Sequence, residues 1–238
     1  MSRPPVRLIA VIGPPAVGKS TLSRHLQDTA GAGVFRLREF AETYRQAHPA
    51  QAAAFATTDP LGWLPDTAVA VLFGAALSDA FPELCPVMVL ENLPGNAAQL
   101  DLLRDRAAAI GARLDLVVLT APDRVLADRA QTRRVCASCE PDPRGDPHQP
   151  AHAADDDPQR CRRCGGRLAA RRSDTPELFQ ARLGRFRASL PAIRTAALAA
   201  HVPCHFLDST GDITTTAVAV QAACRLTLHP TPLRSAWS

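Results

Sequence analysis

The stretch GPPAVGKST (Gly13 to Thr21) follows the apolar run VRLIAVI (Val6 to Ile12) without a break and leads directly into the helix-compatible STLSRHLQD. It satisfies G-x-x-x-x-G-K-[ST], and a buried strand before it with a helix after it is the setting in which that pattern works. Glycines at 13 and 18 let successive backbone N–H groups face one phosphate, with the positive end of the following helix behind them. Lys19 is the single lysine among 27 lysines and arginines. A compact ammonium reaches terminal phosphates where a planar guanidinium demands another geometry, which is a physical reason for one lysine in an arginine-rich chain. Gly13, Pro14, Ala16, Val17, Gly18, Lys19, Ser20 and Thr21 are therefore expected to hold a nucleoside triphosphate. Ser20, or Thr21 beside it, offers the hydroxyl for Mg²⁺.

Four more short apolar runs recur with helix-compatible segments between them: GVFRL (Gly33 to Leu37), PVMVLEN (Pro86 to Asn92), LDLVVLTA (Leu114 to Ala121) and PCHFLDS (Pro203 to Ser209). Continuous rather than alternating apolar runs mean strands buried on both faces. The expected fold is α/β, a parallel sheet of about five strands with helices on both faces. Two segments interrupt the rhythm, so the chain divides into core (1–37), a helical insert (38–83), core (84–128), an irregular lobe (129–173) and core with a C-terminal tail (174–238). The stretch SDTPELFQARLGRFRASLPAIRTAALAA opens with a helix start signal and Pro176 near the first helical position. Phe179, Leu183, Phe186, Leu190 and Ile193 then recur at helical spacing, with Arg182 and Arg185 at the margin.

At 238 residues, 46% hydrophobic, the chain can bury a sizeable core. Its net charge of +4 is small and locally clustered, which argues for anionic small molecules over a nucleic-acid partner. Val6 to Ile12 is too short to span a bilayer, so a cytoplasmic protein with no membrane partner is expected. Of seven cysteines, four form the pairs CASC (Cys136, Cys139) and CRRC (Cys161, Cys164), the arrangement of a closed structural Zn²⁺ site in a lobe too small for a core of its own. Cys85, Cys204 and Cys224 read as small core residues, and His148 and His152 as solvated loop residues.

A phosphate loop, a helical insert after the second strand and a zinc-ribbon insert after the fourth together resemble the adenylate kinase family of nucleoside monophosphate kinases. The resemblance covers nearly the whole chain. It is strongest at GPPAVGKST, at RAQTRRVCASC…CRRCGGRLAARRSDTPELFQARL, and at the helix that follows. It implies that the cysteine lobe is a lid over a donor ATP whose arginines grip the transferring phosphoryl group. Matched one at a time, Arg129, Arg133, Arg171 and Arg182 take those places, with Ser173 and Asp174 standing where the family has two aspartates. It also implies that Glu91, in ENLPGNAAQ, replaces an aspartate that organises Mg²⁺, that Gln99 matches a base-reading glutamine, and that Gly95 stands where an arginine would bind the acceptor phosphate. Arg36, Arg38 and Arg45 all remain open as replacements for acceptor-binding arginines. The implied activity is transfer of the γ-phosphoryl of Mg-ATP to a nucleoside monophosphate, AMP first, by a monomer. A small-molecule kinase with another acceptor, and a nucleotide-binding regulator without transfer, are the alternatives.

Overall fold

In the computed structural model of the protein, residues 6–79, 86–142 and 146–226 are described. The expected core residue Cys85 and the expected frayed tail from His229 lie outside them. In chain order the elements are β1 (Arg7–Ile12), α1 (Lys19–Ala30), β2 (Gly33–Arg36), α2 (Leu37–Ala47), a 3₁₀ turn (Pro49–Phe55), α3 (Asp66–Asp79), β3 (Val87–Glu91), α4 (Ala97–Ala109), β4 (Arg113–Thr120), α5 (Asp123–Thr132), β5 (Arg134–Val135), β6 (Ala169–Ala170), α6 (Pro176–Ala199), β7 (Cys204–Asp208) and α7 (Ile213–Ala223).

Five strands form one parallel sheet in the order β2-β3-β1-β4-β7, while β5 and β6 pair antiparallel apart from it. The five strands coincide with the five apolar runs of the sequence. Side chains alternate across a strand, so each run feeds two cores. Leu8, Ala10 and Ile12 of β1 pack on one face with Leu72 and Phe73 of α3 and Leu100 and Leu103 of α4. Ile9 and Val11 pack on the other with Leu22 and Leu26 of α1, Leu126 of α5 and Val220 of α7. Burial of both faces is what removes the alternation of polar residues from these strands.

Helix α6 belongs to both cores. Its first turns contribute Phe179 and Leu183 to one face, and its later turns contribute Ile193 and Ala197 to the other. With 24 residues it is roughly 36 Å long at 1.5 Å per residue. Arg182, Arg185 and Phe186 fall in the crossing segment between its two anchor points. Thr175 is the N-cap and Pro176 begins the helix, as the start signal predicts, although the threonine side chain makes no capping bond.

All five strands point the same way, so the loops after β1, β2, β3, β4 and β7 gather at one edge. In open parallel sheets this carboxyl edge is where ligands bind.

Candidate functional site: a phosphate cradle between two lobes

The loop after β1 closes against the sheet because position 13 has no side chain: a Cβ there would stand 2.7 Å from the Leu119 carbonyl oxygen. Gly18 caps α1 in a left-handed conformation with φ of 102°, which side-chain-bearing residues rarely adopt. Lys19 is 8% exposed. Its ammonium donates to the carbonyls of Gly13 (2.8 Å) and Pro14 (2.7 Å) within the loop. Burial, and then the guanidinium of Arg182, lower its pKa to about 7, against the opposing pull of Glu91.

The carboxyl ends of β2 and β3 bring Arg36 and Glu91 together. Glu91 is buried, accepts from the Ser20 hydroxyl and from Arg36 Nε at 2.9 Å. Burial alone would raise its pKa. Arg36 outweighs burial, with help from Ser20, and holds the carboxylate below its ordinary range. The site therefore carries a preformed carboxylate beside the P-loop hydroxyl.

Above this floor stand four guanidinium groups. Arg133 is clamped by Asp174 through two bonds of 2.7 and 2.6 Å. Arg171 contacts His148 Nδ1 at 3.1 Å and Asp146 at 3.5 Å. Arg182 donates to the Ser173 carbonyl at 3.3 Å. Its pKa falls to about 10 through burial and then through Arg171 and Arg38. Arg38, on α2, donates to the Leu61 carbonyl at 2.7 Å. Like charges brought this close, partly out of water, raise the energy of the free protein, and an oligoanion in the cavity they line offsets that cost. Of the four buried guanidinium nitrogens without a hydrogen-bond partner among the described residues, two, Nη2 of Arg36 and Nε of Arg171, belong to arginines lining this cavity, which suits a polyphosphate that supplies acceptors.

The structure distributes the candidate residues of the sequence between two cavities and the surface. Arg171, not the exposed Arg172, enters the cavity. Arg129 lines a second cavity with Val17, Thr21, Leu119 and Thr216 and donates to the Ser209 carbonyl at 2.8 Å. Among the three open arginines, Arg36 and Arg38 line the main cavity, whereas Arg45 lies outside that lining and pairs with Glu42 at 3.3 Å. Gln99 lines the cavity too, but its amide is engaged: Oε1 accepts from the Gly95 N–H and Nε2 donates to Asp66, both at 2.7 Å.

Four further residues take part that the sequence does not single out as site residues. His148 is half-buried rather than a solvated loop residue. Burial and Arg171 lower its pKa, so near neutral pH its ring accepts from Arg171. Gln149 reaches the P-loop helix, donating to the Ser20 carbonyl at 2.8 Å. Trp63 and Arg185 wall the cavity, the guanidinium 4.8 Å from the ring centroid. Only the arginine, at an apolar helix margin, could have been singled out beforehand. Contacts such as 149 to 20 span too much chain for any local pattern.

The four cysteines meet as one cluster. Sulfur separations of 3.5 Å (Cys136 to Cys164) and 3.7 Å (Cys139 to Cys161) match the edge of about 3.8 Å that follows from zinc–sulfur bonds of about 2.3 Å in a tetrahedron. Among the described residues, the apolar packing around them is a patch with Leu168, Ala151 and Ala153. The donor set and spacing are thus compatible with zinc. Cys224 is buried as expected, and Cys204 partly so.

Fold and cradle together define a phosphotransferase of the P-loop nucleotide-kinase class. No protein-family model matches the chain. Curated relatives do: an adenylate kinase of Symbiobacterium thermophilum is 29% identical over 177 residues, spanning 74% of this chain and 79% of its own length. Adenylate kinases of Geobacter sulfurreducens and Sphingopyxis alaskensis are 27% and 28% identical, covering 74% and 71% of this chain and 78% and 75% of their own. Over about three quarters of its length the chain is thus similar to adenylate kinases. No helix among the described residues is long and apolar enough to cross a membrane.

Proposed function

We propose that the protein transfers the γ-phosphoryl group of Mg-ATP to a nucleoside monophosphate, with AMP the first acceptor to test. The observation that carries this is the ring of Lys19, Arg38, Arg133, Arg171 and Arg182 around one cavity. Phosphoryl transfer asks the protein for alignment and charge neutralisation, not for a covalent partner. Ser20, or Thr21, and Glu91 are the groups that would hold Mg²⁺, which would supply charge neutralisation on the donor phosphates. Lys19 and the P-loop amides hold the donor phosphates, and Arg129 borders the donor's base. Arg133, Arg171 and Arg182 neutralise the group in flight, and bidentate forks fix its geometry.

On the acceptor side we assign the phosphate to Arg38. Arg36 is committed to Glu91, and Arg45 is paired away from the cavity. In this reading residues 38–83 form the acceptor insert and 129–173 a lid whose stability comes from structural zinc. The protein is expected to act as a monomer in the cytoplasm, without a nucleic-acid or membrane partner.

One observation favours a second reading. A Cβ at position 95 would stand 2.7 Å from the Trp63 ring, so no arginine fits there, and an uncharged hydroxyl acceptor becomes the alternative substrate. A coupled assay with Mg-ATP against AMP, the other monophosphates and a no-acceptor control, on wild type and Lys19→Ala, decides. Turnover of a monophosphate that the variant loses supports the first reading. ATP binding with no monophosphate turned over sinks it in favour of the second, or of a regulator without transfer.

A further inference from the structure

Between its two cysteine pairs the lobe sends a dipeptide, His148 and Gln149, down to the body of the protein. Gln149 is pinned at two points: its side-chain amide donates to the Ser20 carbonyl at 2.8 Å, and its backbone N–H donates to Glu140 Oε2 at 2.7 Å. The neighbouring His148 is thereby held at the wall of the main cavity. Its two ring nitrogens face different parts of the chain. Nδ1 meets Arg171 Nη2 at 3.1 Å, while Nε2 lies 3.6 Å from Glu39 on α2 and 3.9 Å from Asp142. A guanidinium can only donate, so Nδ1 accepts and the ring proton belongs on Nε2, towards the carboxylates. Burial, and then Arg171, hold the ring's pKa below its ordinary value, which keeps this neutral tautomer in place at pH 7.

The consequence falls on Arg171. Its contacts with His148 and, at 3.5 Å, with Asp146 are both made by Nη2, whereas its buried Nε has no hydrogen-bond partner among the described residues. One nitrogen of the guanidinium is held, and another is left for a ligand. Arg133, by contrast, spends two nitrogens on the Asp174 carboxylate. A second carboxylate at position 148 could hold Arg171 as well as the imidazole does, but it would cancel the charge that a phosphate needs. A neutral acceptor orients the guanidinium and leaves its charge available.

We propose that His148 is a positioning residue for phosphoryl transfer: it aims Arg171 at the γ-phosphate of the bound triphosphate, from a place fixed by Gln149 on the phosphate-loop helix and by Glu39 on α2. This rests on the reading of Arg171 as a residue that neutralises the transferring group. His148 itself does not touch the phosphates.

Calorimetric binding of Mg-ATP and Mg-ADP tests this without any acceptor. His148→Ala should weaken Mg-ATP about 10- to 100-fold, the loss expected when one bond to a charged group goes, and leave Mg-ADP nearly unchanged. His148→Asn should keep most of the wild-type affinity, because its Oδ1 takes the place of Nδ1 as acceptor; His148→Leu, which fills space without accepting, should not. That pair carries the comparison even where the alanine variant folds poorly. In an Arg171→Ala background His148→Ala should add no further loss, since both act through one guanidinium. Equal weakening of the two nucleotides, no weakening of either, Asn behaving as Leu, or an additive loss in the Arg171→Ala background overturns the proposal. The expected pattern with no acceptor phosphorylated sinks the kinase reading and upholds this one; transfer to a monophosphate that His148→Leu leaves at the wild-type kcat does the reverse.

Discussion

The phosphate-loop half of the cavity and the half walled by Trp63, which we propose as its donor and acceptor halves, are built on different principles. The donor half hangs on one continuous segment, Gly13 to Thr21, whose function is a property of its own backbone. The acceptor half has no segment of that kind. Trp63, Gly95 with Gln99, and Arg185 come from three places in the chain, and each is held by another of them or by Asp59 and Asp66. Backbone amides bind any phosphate, whereas side chains packed against one another select what reaches it. A family can therefore keep the first half while the second is rebuilt.

The sharpest way to break this contrast is at Lys19. Lys19→Ala should lower kcat roughly 10²- to 10³-fold, the usual loss for one donor aimed at developing charge, whichever acceptor is offered. A loss that depended on the acceptor would mean that the two halves are not separable.

Arg38→Ala should raise KM for a monophosphate about 10- to 100-fold with a smaller effect on kcat, since a charge-assisted bond is worth roughly 1.5 to 3 kcal/mol. Arg45→Ala should change neither. Equal effects of the two substitutions would return the acceptor clamp to the undecided state of the sequence.

Gly95→Ala should destabilise the protein by about 1 to 3 kcal/mol through overpacking against Trp63, read from denaturant midpoints. In a Trp63→Phe background the same change should cost less, because the ring carbons it meets are those of the larger indole. Additive costs would show that the Trp63 to Gly95 contact does not hold the acceptor wall.

The smallest effect is a proton. With its pKa at about 7 in the free protein, Lys19 is largely neutral at pH 8.5, and phosphate in its place draws the pKa back up. ATP binding should then take up as much as about one proton at pH 8.5 and little at pH 6, where the amine is already charged. Calorimetry in buffers of differing ionisation enthalpy measures it. Release rather than uptake at pH 8.5 would contradict the burial of the amine. Folding carries the opposite sign and releases a proton: the unfolded chain binds more protons between pH 7 and 10.5, so the contribution of Lys19 to stability rises with pH across that window.

The legibility of the chain follows the same division. Val6 to Ile12 and the four later runs declared themselves as strands because burial on both faces leaves an uninterrupted apolar signal. The cysteine pairs declared a metal-sized cluster because chelation needs a tight turn between ligands. Arg171 and Arg172 could not be told apart, since the register of a guanidinium depends on Asp146 and His148 across the lobe. His148 looked like a solvated loop residue because nothing within ten residues shows Arg171 beside it.

The sequence by itself determined the parallel sheet, the phosphate cradle and the four-cysteine cluster, since each rests on interactions over a few residues or on the period of a single strand. Tertiary structure alone decided which arginines line the cavity, that Arg36 serves Glu91, that Gln99 bonds Gly95 and Asp66, and that a tryptophan fills the space beside position 95. These are contacts between side chains tens of residues apart, and their distances are set by how the helices seat on the two faces of the sheet. That seating is a property of the packed core as a whole, carried by no stretch of chain alone.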